Sequence, residues 1–327
     1  MSCFAYTQDL HFSQFYNSPL TINPALAGQK DADYRLNLNY RSQWQTLNGS
    51  RGIATFAASG DARILQESVP KYDKLGVGLQ LFHDSAGDGY YNTTTVAPTI
   101  AYHKALGYSH KLSVGLQPGY GNVGIDFSQL EFEEQYIGIG FDRSLPTGEN
   151  FATNSVNYFD LNGGLLYSFR DRNDNWNAFV GGALFHINAP DINFIDGTVY
   201  ERPVRSVLNA GGTLQLENGL LVSPGALYQT QAGATELTVG TLVAKQLGNL
   251  YAIGDTKSAY AGAYWREGDA IIGKAGVQWN NMQVGLSGDF ATSDISRPLG
   301  LNSALELSFT LLGLPDSDSK PIYCPSF

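Results

Sequence analysis

The chain has 327 residues, among them 37 Gly, 17 Phe, 19 Tyr and 4 Trp, and only 15% are charged, against roughly 25% in an ordinary soluble domain. Its longest apolar run, counting Gly, is Ala178 to Phe185, well short of the about 20 residues that a membrane-crossing helix needs. Lys and Arg number 20 against 30 Asp and Glu, a net charge of −10 with no basic block, which excludes the concentrated positive footprint of a nucleic-acid binder.

Cys3-Phe4-Ala5 carries small residues where a signal peptidase would read them. Residues 1–7 are therefore expected to be the remnant of an export signal. The second cysteine, Cys324, sits at the other end of the chain, so the pair is neither a disulfide framework nor a metal cluster. Residues 8–33 are aromatic, do not alternate, and are broken by Pro19 and Pro24. A segment this apolar needs somewhere to bury itself. It is expected to be either a plug inside a barrel or a periplasmic flap over its mouth.

From Tyr34 onward the pattern is alternation with turn residues between runs. Tyr34, Leu36, Leu38 and Tyr40 share one face, while Arg35, Asn37, Asn39 and Arg41 share the other. Fourteen strands are predicted: 34–42, 50–59, 74–83, 93–103, 111–124, 155–170, 176–187, 205–217, 220–229, 236–247, 258–266, 269–279, 282–291 and 303–312. Many are about ten residues long, the length a tilted strand needs to cross a bilayer. The Glu217-Asn218-Gly219 turn is the strongest hairpin signal.

The fold expected is all-β, a transmembrane outer-membrane β-barrel of about 14 antiparallel strands with a short N-terminal plug or flap segment. The barrel spans 34–312 and a periplasmic tail spans 313–327. A barrel is preferred over a sandwich or propeller for three reasons. Gly, Asn, Gln and Thr occupy the alternate positions, as in a polar lumen. Aromatic residues such as Tyr91, Tyr102, Trp176, Trp265 and Trp279 gather near strand ends. No repeat of constant period is present. Short connections at 218–219, 267–268 and 280–281 are expected on the periplasmic side, and long ones at 60–73, 125–154 and 188–204 outside.

Gln8-Asp9, His11-Phe12-Ser13-Gln14-Phe15, Asn17, Pro19-Leu20 and Asn23-Pro24-Ala25-Leu26-Ala27-Gly28 together resemble the opening of the PorP/SprF family. Those are outer-membrane proteins of the type IX secretion system of Bacteroidota. Asn39-Tyr40-Arg41-Ser42-Gln43-Trp44 resembles the family's Tyr-Arg-x-Gln-Trp segment. Asp84-Ser85-Ala86-Gly87, Gly119-Tyr120 with Ile125-Asp126-Phe127, His186 through Asn193, and Cys324-Pro325-Ser326-Phe327 are similar to later blocks. Ser326 stands where the family would place a basic residue. The resemblance implies an accessory of secretion, with type IX secretion components and a surface adhesin or secreted cargo as partners. It marks Phe12, Gln14, Phe15, Pro19, Asn23, Pro24, Ala25, Gly28, Arg41 and Trp44 as plug or partner contacts.

A catalytic site needs convergent groups of matched proton affinity. His11, His83, His103, His110 and His186 form no paired spacing, and Asp84 with Asp88 lacks the third carboxylate of a calcium turn. Glu131, Glu133 and Glu134 read as a solvated loop face. No cofactor, metal or catalytic residue is expected, and the chain is not read as an enzyme. If β1 holds its alternation, Arg41 points into the lumen with Arg35, where it is expected to hold the N-terminal segment by its backbone carbonyls or by Asp9.

Two functions remain. The first is a docking accessory in outer-membrane lipid that helps export or surface anchoring of a partner adhesin or cargo. The second is a transporter of small hydrophobic solutes, because Asn23-Pro24-Ala25 is similar to a short motif of the FadL transporters. That reading requires an apolar pocket beside the N-terminal hatch. An open diffusion porin is a third and lesser option.

Overall fold

Alternation carries through the strands because the solvent is inverted. In the computed structural model, Leu36, Leu38, Leu79, Val114, Leu165, Leu286 and Leu307 are exposed, whereas Asn37, Asn39, Gln117, Asn162, Asn209 and Glu306 are buried. A water-soluble sheet would show the reverse. Apolar side chains outside and polar ones inside are what a strand needs between lipid and a polar lumen. The structure describes residues 9, 11–30, 32–44, 52–66, 68–70, 72–87, 91–195, 199–216, 219–247, 257–292 and 302–313. The expected signal remnant, residues 217 and 218 of the Asn-Gly turn, Asp88, and the tail beyond Gly313 lie outside the described residues.

The strands are β1 (Tyr34–Gln43), β2 (Ile53–Ile64), β3 (Lys74–Ala86), β4 (Tyr91–Ala105), β5 (His110–Gly124), β6 (Ser155–Arg170) and β7 (Trp176–Phe185). The second half adds β8 (Arg205–Leu216), β9 (Leu220–Gln231), β10 (Ala234–Gln246), β11 (Lys257–Arg266), β12 (Ala270–Trp279), β13 (Met282–Ala291) and β14 (Asn302–Gly313). Each pairs antiparallel with its chain neighbours, and β1 pairs with β14 from Tyr34↔Gly313 to Gln43↔Ala304. The sheet is therefore a closed barrel. Closure leaves no strand edge without a partner, which hydrocarbon demands.

Strand parity fixes which mouth each connection occupies. Both barrel ends, Tyr34 and Gly313, lie at one mouth, here the near mouth, with connections 65–73, 106–109, 171–175, 217–219, 247–256 and 280–281. The far mouth carries 44–52, 87–90, 125–154, 186–204, 232–233, 267–269 and 292–301. Two expectations are corrected. The long 60–73 connection shortens, because β2 continues to Ile64, and it lies opposite 125–154 rather than beside it. The short 267–268 turn lies on the same side as the two longest loops. Length alone cannot assign sides; each crossing reverses the side, so counting strands does.

One rung of the wall is missing. Between β4 and β5 the pairing runs to Val96↔Tyr120 and resumes at Ile100↔Leu116. Pro98 and Pro118 face each other across the gap, and neither has an N–H to donate. Both prolines stay in register with their outer neighbours, Leu79 and Leu161, so the break is confined to the β4–β5 seam.

Candidate functional site

The lumen is filled by the chain's own N-terminal segment. Three short 3-10 turns, Phe15–Asn17, Pro19–Thr21 and Pro24–Leu26, shape it. Pro19 and Pro24 each open a turn, where a fixed φ helps and no N–H is needed. Asn23 caps the third, its side-chain oxygen accepting from the Ala25 N–H at 2.9 Å. The segment enters at the far mouth and leaves at the near mouth, so it runs the length of the barrel.

At the far mouth the Asp9 carboxylate meets Arg202 Nη2 and His186 Nε2, each at 2.6 Å, with Arg205 Nε at 3.5 Å. The Asp9 N–H donates to Gln231 Oε1 at 2.7 Å. His186 is also held by Asp160, 2.9 Å from its Nδ1. Burial pulls the His186 imidazole down, but Asp9 and Asp160 outweigh it and hold the group above its ordinary range.

Deeper in, Ser13 is the centre of a charged network. Its Oγ donates to Asp289 at 2.7 Å and accepts from Arg41 Nη1 at 2.5 Å and Arg266 Nη2 at 2.9 Å. The Ser13 and Gln14 N–H groups both donate to the Glu306 carboxylate, at 2.7 and 2.9 Å. Arg41, Arg266, Asp289 and Glu306 are each 1–2% exposed. Charges so buried are tolerable only when paired and hydrogen-bonded. Lys274 adds its ammonium above the rings of Phe15, at 5.0 Å, and Tyr264, at 4.2 Å.

Below this, side chain gives way to backbone. Asn23 Nδ2 donates to Leu165 O at 3.0 Å and reaches Asn209 Oδ1 at 3.2 Å. His103 Nε2 lies 2.8 Å from Ala27 O, which can only accept, so this nitrogen carries the proton. Gly28 donates to Asp61 at 2.8 Å, and Asp61 is itself clamped by Arg35 at 2.9 and 3.2 Å. Two glycines are required here. Gly28 has φ +67°, and a Cβ on Gly115 would stand 2.3 Å from Ala25 N. Leu20, Ala25 and Ala27 are fully buried against the wall.

Of the residues singled out from sequence, Phe12, Gln14, Phe15, Pro19, Asn23, Pro24, Ala25, Gly28 and Arg41 come together in this lumen. Trp44 does not: it follows β1 with a positive φ of 55° and is 41% exposed. By alternation it belongs to the outward face of Tyr34 to Tyr40. Arg41 also departs from expectation, since it grips the Ser13 hydroxyl rather than a backbone carbonyl or Asp9. Asp9 lies across the lumen with the β7–β8 cations, and it is Arg35 that takes a carbonyl, Leu26 O at 3.2 Å. Asp84 is no loop ligand either; it faces inward from β3 and accepts from Thr55 Oγ1 at 2.7 Å.

Sequence reasoning passed over Ser13, Arg266, Asp289 and Glu306. Their signal was available: in a chain so poor in charge, an ionised residue flanked by Leu305 and Leu307 on a spanning strand has to face the lumen.

Pockets flank the plug on both sides. One of about 140 Å³ at the far mouth is lined by Asp9, Phe82, Asp84, Asp160, His186 and Arg202, among others. The other, about 350 Å³ at the near mouth, includes Leu26, Tyr72, Lys74, His110 and Phe179. The first is mixed: Phe82, Phe185 and Ile192 share it with Asp9, Asp84, Asp160 and Arg202, so charge intrudes on the apolar pocket that a hydrophobic-solute transporter needs beside its hatch.

A closed, lipid-faced barrel with its lumen packed by its own leading segment defines a plugged outer-membrane β-barrel. The chain belongs to the PorP/SprF family, described as type IX secretion system membrane proteins, whose family model matches residues 4–311. Family and fold together place it in the outer membrane.

Among solved structures it is similar to a FadL homologue of Pseudomonas aeruginosa, at 11% identity and TM-score 0.51, covering 88% of this chain and 92% of that one. It is also similar to a deletion mutant of the monoaromatic hydrocarbon channel TodX, at 10% identity and TM-score 0.50, covering 90% and 93%. At such identities these likenesses speak to fold alone. CdiB from Acinetobacter baumannii aligns at 11% identity and TM-score 0.42 over 85% of this chain. The chain spans only 60% of CdiB's length. Among curated proteins, none matches the sequence.

Proposed function

We propose that the protein serves type IX secretion as a docking barrel that helps export or anchor a partner adhesin or cargo at the cell surface, without catalysis. One observation carries this reading: the plug is bonded to the wall along its length, through ion pairs at Asp9, buried hydrogen bonds from Ser13 and Gln14 to charged wall residues, and backbone contacts below. Such a barrel is a rigid, filled anchor. Its useful surfaces are then its mouths, and the two longest loops, 125–154 and 186–204, share one of them. Type IX secretion components at the near mouth and a surface protein at the far mouth are the partners that fit.

The second reading is a FadL-like transporter, favoured by the shared barrel and by an N-terminal segment in the lumen. The carboxylates and guanidinium groups that share the far pocket with its apolar residues weigh against it. Deletion of the gene, followed by quantitative proteomics of the cell surface and culture fluid, separates the two. Loss of one surface protein or a secreted set, with normal solute uptake, supports docking. An unchanged exported proteome with failed growth on a hydrophobic nutrient supports transport.

A further inference from the structure

The longest far-mouth loop is a built platform. Phe127 stacks on Phe151 with ring centres 3.7 Å apart, Phe132 leans on Phe151, and Phe194 from the neighbouring loop meets Phe127 edge-on. The Ala152 N–H donates to Phe194 O at 2.9 Å, tying the two loops together. From this base a small hairpin projects. Tyr136 bridges to Phe141, Ile137 N–H donates to Gly140 O at 2.9 Å, and Asp142 N–H donates to Gln135 O at 2.8 Å. Buried Gln135 locks its root, donating to Leu145 O at 3.0 Å and accepting from Phe132 N–H at 3.2 Å.

The tip of this fixed hairpin is apolar and exposed. Ile139 is 94% exposed, and Tyr136, Ile137 and Phe141 are exposed beside it. A lone exposed Leu or Ile needs no explanation, but a contiguous apolar knob held on a hydrogen-bonded turn marks an interaction surface. Its surroundings are acidic. Residues 125–154 contain Asp126, Glu131, Glu133, Glu134, Asp142 and Glu149 against one Arg, Arg143. Six negative charges less one positive leave −5, half of the chain's −10. Arg143 is already engaged by Glu131 at 3.2 Å.

We infer that hairpin 136–141 is the docking element of the far mouth, and that its partner is a protein face with an apolar pocket ringed by Lys and Arg. The knob supplies the buried anchor, and the acidic ring supplies steering and orientation. The same ring would repel an anionic lipid surface, so the knob is not a membrane anchor. This inference rests on the docking function proposed above.

The test uses the surface protein that gene deletion removes. Purified, it is titrated against the full-length barrel in nanodiscs. Three forms are compared: wild type, Ile137→Ser with Ile139→Ser, and Glu131→Lys with Glu133→Lys. All changes sit on a loop outside the barrel, and heat-modified gel mobility checks that each variant is folded. Binding should weaken about tenfold or more in both variants. In wild type it should weaken between about 50 and about 500 mM salt. Equal affinity in all three forms overturns the hairpin's role and leaves the docking function standing; no binding to wild type overturns both. A deletion that removes no surface protein overturns both.

Discussion

Glu306 joins wall and plug at a single position. It accepts two backbone N–H groups of the plug and lies 3.4 Å from Arg41. Glu306→Ala leaves those two buried donors without their acceptor, at about 1–3 kcal/mol each, while Arg41 keeps Asp289 at 3.0 Å. The variant should expose residues 11–17 to protease while the barrel stays closed; intact protection would show that the network does not hold the plug. His186 makes the far-mouth latch pH-dependent. Its folded value is raised, so its charged contact with Asp9 is full below the unfolded value of about 6.5. The contact is lost as pH rises through the folded value. Arg202 and Arg205 remain charged throughout, so the latch loosens without opening. Amide exchange at residues 11–13 should quicken from pH 6 to pH 9 in wild type, and in Asp9→Asn it should be fast at both.

Among the elements, the β4–β5 seam is the weak point of the wall. Pro98 and Pro118 remove both hydrogen bonds of one rung at membrane depth, where no water can replace them. Pro98→Val with Pro118→Val should restore them. Each restored bond stabilises by about 1 kcal/mol, reduced by the added freedom of the unfolded chain, so the double variant should melt at a higher temperature. An unchanged or lower melting point would show that the seam is already satisfied some other way. The strands themselves were largely legible. β6 and β13 match their predicted bounds, since turn residues flank clean alternation. β2 was predicted at 50–59 and is found at Ile53–Ile64, and the reason is instructive. Gly60, Asp61 and Arg63 have the composition of a turn, yet Asp61 receives the Gly28 N–H and Arg63 donates to Ala32 O at 2.7 Å. Charges that bind the plug look, in one dimension, like charges that end a strand. The β3 end was misjudged at Asp84, another inward carboxylate, whose partner is Thr55 of the neighbouring strand.

At the scale of the whole molecule the plug decides permeability. Deletion of residues 11–30 should convert a barrel that conducts little into one with ion conductance in planar bilayers. Equal conductance with and without the segment would mean that it does not seal the lumen. That the segment needed burial was readable from Phe12, Phe15, Pro19 and Pro24. Its route was not readable, because the contacts pair residues hundreds of positions apart: Ser13 with Asp289, Asn17 with Ser308 at 2.7 Å, Asp33 with Gly313 at 2.8 Å. Those same contacts constrain the order of assembly. The ring is shut by β1 meeting β14, and the plug bonds to both sides of that seam, Ser13 reaching Arg41 of β1 and Glu306 of β14. Because Ser13, Gln14, Asn17 and Asp33 bond to β13 or β14, it acts as an internal template, drawing the last strands toward the first.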